Sequence, residues 1–206
     1  MSSILLVFQI VVFIYSAIIH EYMHGWMAER LGDSTAKDMG RLTLNPIPHI
    51  DPYGSIFLPL MLIMMNAGFL FGWAKPVPYN PYNLSDQKYG GAKVAIAGPL
   101  GNFIMALFFG LVLRLVVMDV LVTNQIATTL LGTIVYINLI LMVFNLLPIP
   151  PLDGSKILMP FLPYNLQIRY ASLERYGIFL VLFFVIFAFP MIIPVIDFLF
   201  FIITGA

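Results

Sequence analysis

The sequence predicts an all-α polytopic membrane protein, and two observations carry that prediction. Of its 206 residues, 61% are hydrophobic and only 10% are charged, whereas a soluble domain carries roughly 25% charged residues. Crossing the hydrocarbon core of a bilayer takes about 20 mostly apolar residues. Four runs of the chain meet that requirement, over about 4–28, 94–118, 127–147 and 178–203. Pro190 and Pro194 predict a kink or a break in the last run.

The segments between these runs are polar or too short to cross a bilayer with ease. Residues 29–53 and 74–91 are rich in Gly, Pro, Asn and Asp, which predicts turns and short extended pieces. The apolar run 55–73 is shorter than the others and carries Pro59, Asn66 and Gly68. We therefore expect one integral membrane domain over residues 1–206, with about four to six transmembrane helices. The first run has no Lys or Arg before it, so we expect a retained helix and not a signal peptide.

Charge and cysteine content exclude several function classes. The formal net charge is zero, which argues against nucleic acid as a partner. The chain has no cysteine, so it can build neither disulfides nor a thiolate zinc site. Any metal is then held by imidazole, carboxylate or carbonyl groups.

A metal-binding pattern lies at the end of the first apolar run. His20 and His24 are separated by four positions, so on a helix both imidazoles lie on one face and can share an ion. Glu21 projects from the neighbouring position and can reach a water beside that ion. Ionisable groups inside a membrane are costly and by default mark a functional site. The pattern predicts a zinc site with a general base.

Two histidines leave zinc short of a third protein ligand. The candidates are His49 and Asp51 in the first polar stretch, loop residues Asp33, Asp38 and Asp86, residues Asp119 and Asp197 near helix ends, and Asp153. Asp153 is favoured because it follows the third apolar run directly and lies among helix breakers, from Pro148 to Gly154. Such a break at membrane depth is tolerated where the backbone lines an enclosed or wet cavity.

These motifs together resemble the site-2 protease family of intramembrane zinc metalloproteases. The resemblance rests on His20-Glu21-x-x-His24 followed by N-x-x-P-x-x-x-x-D-G from Asn145 to Gly154. Ala97-Gly98-Pro99 with Asn102 is similar to the intervening helix motif of that family. Further similarity to its compact members lies in GRLTLNP, His49-Ile-Asp51-Pro52 and GWAKPVP. We expect neither the PDZ insertion of many relatives, for which residues 1–206 leave no room, nor a CBS domain after the last helix.

The resemblance implies one Zn²⁺ per chain, bound by His20, His24 and Asp153, with Glu21 as the general base. It implies that Asn145 holds the substrate or the oxyanion, and that the substrate is a transmembrane segment of another protein. Asn102 either handles substrate or hydrogen-bonds a neighbouring helix; Gly98 and Pro148 are further candidates for substrate contact. Two alternatives stay open: a membrane zinc hydrolase acting on a lipid-linked or small substrate, and a non-enzymatic metal carrier. The oligomeric state is also open.

Sharing one ion also restricts the topology. His24 and Asp153 both lie where an apolar run ends, so an even number of crossings separates them. The runs 94–118 and 127–147 supply two, which predicts that 55–73 is re-entrant or lies on the surface. Most basic residues then fall on the side of the metal site: Arg30, Lys37, Arg41, Lys75, Lys88, Lys93, Lys156, Arg169 and Arg175. Arg114 alone falls toward the other side, so the positive-inside rule places the site toward the cytoplasmic face of a cell membrane, with the N-terminus outside.

Overall fold

The computed structural model describes residues 3–65, 72–118 and 125–205, and all the regular structure within those ranges is helical. The α-helices are α1 (Ser3–Arg30), α2 (Thr35–Asp38), α3 (Leu58–Met64), α4 (Gly90–Val117), α5 (Gln125–Asn145), α6 (Asp153–Leu158), α7 (Tyr164–Ser172), α8 (Gly177–Phe187) and α9 (Phe189–Thr204). Short 3₁₀ turns and one π-helical turn, Pro52–Phe57, connect them. The all-α prediction is confirmed. Four described helical stretches are long and apolar enough to cross a membrane, at 4–30, 90–117, 125–145 and 164–187.

Helix α4 lies at the centre of the bundle and packs against α1, α5, α6 and α9. Small residues allow this close approach. A Cβ atom at Gly101 would lie 2.6 Å from Cγ of Met23 on α1, and one at Gly110 would collide with Ile203 on α9. Beside α4, the apolar core is formed by Val135 and Leu139 of α5 with residues of α9. Because α4 contacts these four helices, its residues can bind side chains from several of them at one site.

The last apolar run is a broken pair of helices, as its prolines predict. Helix α8 ends at Phe187 and α9 begins at Phe189, next to Pro190, which has no N–H for a helical bond. The α8 end of the pair lies beside Pro151, and at the α9 end Arg114 Nη1 donates to the carbonyl of Ile202 at 3.3 Å. The pair therefore runs from the Asp153 side of the bundle to the opposite side.

The run 55–73 has its two ends beside each other. It begins in the π-helical turn and in α3, while residues 66–71, including Asn66 and Gly68, lie outside the described part of the chain. At its ends, the Trp73 N–H donates to the carbonyl of Gly54 at 3.3 Å, and Ser55 Oγ donates to the carbonyl of Trp73 at 2.8 Å. A segment that crossed the bilayer would have its ends on opposite faces. The two ends of this run lie together, as expected for a segment that is re-entrant or lies on the surface; which of the two it is stays a prediction.

The loop after α1 is held to the second polar stretch by Asp33, which is fully buried. Its carboxylate accepts hydrogen bonds from Thr35, from the backbone N–H of Asn80 at 2.7 Å and from Asn83 Nδ2 at 2.9 Å. Burial alone would raise the pKa of this carboxyl, but these hydrogen bonds to the charged form hold the pKa below its usual value. Asp33 thereby anchors the start of the chain that leads into α4.

Candidate metal centre and active site

Three side chains from two distant parts of the chain meet at one point. Nε2 of His20 lies 3.0 Å from Oδ2 of Asp153, Nε2 of His24 lies 3.1 Å from the same oxygen, and the two Nε2 atoms are 3.1 Å apart. His20 and Asp153 are buried, with 6% of each residue exposed.

The donor set fits a zinc ion. Zinc prefers imidazole nitrogen and carboxylate oxygen at about 2.0–2.2 Å in a tetrahedron, which separates neighbouring donors by about 3.3 Å. The three ligand atoms here show nearly that spacing. Three protein ligands leave the fourth position of a tetrahedron open, as in catalytic zinc sites. Among the described residues this is the one cluster of His and carboxylate side chains close enough to bind a metal.

Each imidazole is oriented by a hydrogen-bond acceptor opposite its Nδ1 atom, the ring nitrogen that faces away from the cluster. His24 Nδ1 lies 2.7 Å from the backbone carbonyl of Val94, and His20 Nδ1 lies 2.7 Å from Oδ1 of Asn102. Each acceptor favours a proton on Nδ1, which leaves the Nε2 lone pair free to face the centre. Helix α4 supplies both acceptors.

Two glycines allow the cluster to assemble. A Cβ atom at Gly98 would lie 2.7 Å from Nε2 of His20 and 2.5 Å from Cε1 of His24, so α4 can pass against the inner edges of both rings only without a side chain there. A Cβ atom at Gly154 would lie 2.5 Å from the carbonyl carbon of Leu146 and collide with its oxygen. Gly154 therefore lets the turn after α5 fold tightly enough to present Asp153.

Glu21 stands beside the cluster at the wall of a cavity of about 490 Å³. Its Oε2 accepts a hydrogen bond from the N–H of Val77 at 2.8 Å. The cavity is lined by the three candidate ligands, by the extended segment Gly72–Tyr79 and by apolar residues of α1, α5 and α8, including Phe13, Phe144 and Val181. The cavity therefore combines the polar candidate site residues with an apolar wall that membrane-spanning helices form.

Arg41 is a site-building residue that sequence reasoning did not single out. Its side chain is buried, and Nη2 donates to the carbonyls of Lys75 at 3.0 Å and Pro76 at 3.3 Å. The N–H of Lys75 in turn donates to the carbonyl of His49 at 2.8 Å. These bonds hold the extended segment against Glu21. An isolated Arg in a polar stretch is ordinary, so only the similarity of GRLTLNP to compact relatives hinted at it.

The other candidate residues lie at different distances from the cavity. Asn145 lines it, with Nδ2 donating to the carbonyl of Leu141 at 2.9 Å within its own helix. Asn102 is fully buried behind His20, and Gly98 backs onto the imidazoles. Pro148 is exposed, and its carbonyl accepts from the Tyr170 hydroxyl at 2.6 Å. The substrate roles of these four residues stay predictions.

The remaining candidates for the third ligand make contacts elsewhere. His49 Nε2 bonds the carbonyl of Thr43, Asp51 caps the π-helical turn, and Asp86 pairs with Lys93. Asp33 binds its loop, Asp38 accepts from Ser34, and Asp197 accepts from Tyr136. Asp119 lies outside the described residues. Of the candidates that the structure describes, Asp153 is the one that meets the histidine pair.

Fold and site together define a polytopic membrane protein with a buried cluster of two histidines and one aspartate. Residues 115–188 match the model of peptidase family M50. The chain is 40% identical over 187 residues to "Putative zinc metalloprotease YwhC" of Bacillus subtilis, an alignment that covers 87% of this chain and 81% of YwhC. It is also 30% identical over 166 residues to Rip2 of Mycolicibacterium smegmatis, which carries the same designation, and 28% identical to Rip2 of Mycobacterium tuberculosis.

The chain therefore belongs to peptidase family M50. It is an integral membrane protein and a zinc-dependent metalloprotease. The alignment to Rip2 of Mycolicibacterium smegmatis covers 81% of this chain but only 61% of that protein. No solved structure matches the chain.

Proposed function

We propose that this protein cleaves peptide bonds within or near transmembrane segments of other membrane proteins, using one zinc ion per chain held by His20, His24 and Asp153. The observation that carries the proposal is the composition of the cavity wall. Phe13 and Ala17 of α1, Leu141 and Phe144 of α5 and Val181 of α8 surround the candidate ligands. A substrate segment arriving from the lipid would therefore meet an apolar surface that leads to the polar centre.

The zinc ion, when bound, lowers the pKa of a bound water to about 7 and polarises the scissile carbonyl. The protein's part is to place the groups around it. His20, His24 and Asp153 would hold the ion. The buried setting excludes bulk water and strengthens each electrostatic contact.

Glu21 is the proton acceptor in this proposal. Its carboxylate lies next to His20 in sequence and lines the same cavity, so it can take a proton from the attacking water and pass it to the leaving amine. The N–H of Val77 now occupies Oε2, which orients the carboxylate and leaves Oε1 for the proton. Glu21 therefore has a fixed orientation before substrate arrives.

Asn145 is placed to contact the substrate. One hydrogen of its Nδ2 is used by the carbonyl of Leu141, while the amide has a second N–H and a carbonyl oxygen for a bound peptide. A helical substrate hides its own carbonyls in internal bonds and has to unwind before attack. We expect substrates with Gly, Pro or Asn near the cut.

The test is cleavage by the purified chain in liposomes, with the product masses locating the cut. The substrates are a reporter with a single transmembrane segment, the same reporter with that segment replaced by a soluble linker, and a small peptide. We expect cleavage of the first alone and about 10³-fold or greater loss in Glu21→Gln with zinc content unchanged. Equal cleavage of the soluble reporter or the small peptide would contradict the membrane substrate. Metal analysis of His24→Ala and Asp153→Ala, each expected to lose the ion, tests the ligand set.

The same proposal places the site toward the cytoplasmic face of the cell membrane. Because the natural chain has no cysteine, single cysteines can be introduced as probes at exposed positions on the two sides. We expect a membrane-impermeant maleimide to label Met118→Cys in intact cells and Lys88→Cys only after lysis. The reverse pattern would place the site on the outer face.

A further inference from the structure

Behind His20, a chain of side-chain amides links three helices inside the bundle. Asn102 Oδ1 lies 2.7 Å from His20 Nδ1, and Asn102 Nδ2 lies 3.0 Å from Oδ1 of Asn138 on α5. Both asparagines are fully buried, with 0% exposure. Neither lines the cavity, and their polar atoms form hydrogen bonds with other groups of the protein.

The surroundings of Asn102 fix which way its amide faces. Nδ2 donates to the backbone carbonyl of Ser16 at 3.0 Å and to Asn138 Oδ1 at 3.0 Å. A backbone carbonyl can only accept. Rotating the amide would set Asn102 Oδ1 against the Ser16 oxygen and its NH₂ group against His20 Nδ1. His20 would then have to carry its proton on Nε2, the atom that faces Asp153 and His24.

Asn138 is itself fixed from behind. Its Nδ2 donates to the carbonyl of Ile134 at 2.9 Å, again an atom that only accepts. Its Oδ1 therefore faces Asn102 and supplies an acceptor that a rotated Asn102 amide could not use. A backbone carbonyl at each step thus sets the direction of the whole chain, from Ile134 through both asparagines to His20.

We infer that Asn138 is a positioning residue for the metal centre, acting through Asn102 to keep the proton of His20 on Nδ1 and the Nε2 lone pair free. This inference rests on the proposed function, because it takes His20 as a metal ligand. His24 needs no such relay, since the backbone carbonyl of Val94 bonds its Nδ1 directly. Disturbing Asn138 should therefore affect one imidazole and spare the other.

The first experiment measures zinc affinity of the purified chain in detergent by competition with a chelating dye. Asn138→Leu keeps the size of the side chain but removes both polar atoms. Loss of such an outer partner of a metal ligand costs about 10–100-fold in affinity, and we expect at least a tenfold loss. Asn138→Asp should stay within threefold, because burial favours the neutral carboxyl, whose carbonyl can accept from Asn102 and whose hydroxyl can donate to Ile134. Thr133→Val is the matched control on α5, since its hydroxyl donates to the carbonyl of Thr129 within the same helix and forms no hydrogen bond to the asparagines or to His20 among the residues that the structure describes.

The second experiment observes the proton itself. The chain has three histidines, so ¹⁵N-labelled imidazoles give few enough NMR signals to assign. In the metal-free wild type we expect Nδ1 of His20 to carry a proton, and in Asn138→Leu we expect a population in which Nδ1 is unprotonated. A wild-type His20 whose Nδ1 is mainly unprotonated would overturn the inference, and this measurement needs no variant to fold. So would an Asn138→Leu variant that loses thermal stability but keeps both its zinc affinity and its His20 signal.

One further variant separates this inference from the proposal on which it rests. His20→Ala should abolish tight zinc binding. If His20→Ala binds zinc as the wild type does, the ligand assignment fails. If His20→Ala loses zinc while Asn138→Leu keeps it, only the role of Asn138 fails.

Discussion

Replacing Gly98 by alanine adds one methyl group directly behind the metal centre. The new Cβ would lie 2.7 Å from His20 Nε2, whereas ordinary contact begins near 3.4 Å. That ring must therefore retreat by about 0.7 Å, and the His24 ring must move as well, while a metal site tolerates changes of about 0.2 Å in its ligand distances. We expect zinc affinity to fall by at least about 100-fold, at the upper end of the cost of disturbing an outer partner of a metal ligand.

The assay is zinc competition with thermal unfolding of the metal-free protein beside it. Alanine favours a helix over glycine by about 0.8–1 kcal/mol, so a loss of zinc cannot be ascribed to weaker helix formation. Gly91→Ala, also in α4, is the matched control, because its Cβ would meet only the Tyr79 hydroxyl at 4.0 Å. A Gly98→Ala protein that binds zinc within threefold of the wild type would refute the reasoning.

Three other changes have defined outcomes. Arg41→Met removes two charge-assisted hydrogen bonds to the segment that contacts Glu21, each worth about 1.5–3 kcal/mol. Hydrogen exchange at the amides of Lys75 and Val77 should become faster and KM should increase, with zinc affinity unchanged. The folded-state pKa of Asp33 lies below its unfolded value, so ionised Asp33 stabilises the folded protein above about pH 4, and this stabilisation is lost as pH falls further. Between about pH 7 and pH 3 the unfolding temperature should therefore drop less in Asp33→Asn than in the wild type. Gly154→Ala should release bound zinc, because its Cβ collides with the carbonyl of Leu146; metal analysis that finds full occupancy would contradict this.

The spanning segments could be predicted from the sequence because hydrophobicity and length are local properties of the chain. Three of the four predicted runs match α1, α4 and α5 to within a few residues, and the two prolines of the last run predicted its break. That the two ends of 55–73 lie together was expected from the shared ligand set, since two ligands on one side require an even number of crossings between them, and the distribution of basic residues agreed. Residues 66–71 of that run lie outside the described part of the chain.

The contacts around the site could not be predicted in the same way. Arg41, Val77 and Asn138 each act on the centre through a partner more than 30 positions distant in the chain. A buried asparagine has the same local pattern whether it bonds a neighbouring helix or faces a substrate. Which of these it does depends on how α1, α4 and α5 pack.

By itself the sequence determined the chemistry of this protein: a membrane as solvent, two imidazoles one helical turn apart and an acid at a helix break. Those features depend on residue type and on spacing along one helix, and both are written in the chain. The tertiary structure alone decided that Asp153, the acid that the sequence favoured, lies within reach of the pair, that Gly98 makes room for the rings, and that buried amides orient His20. Each of these depends on distances between atoms of different helices, which are set only when the bundle packs.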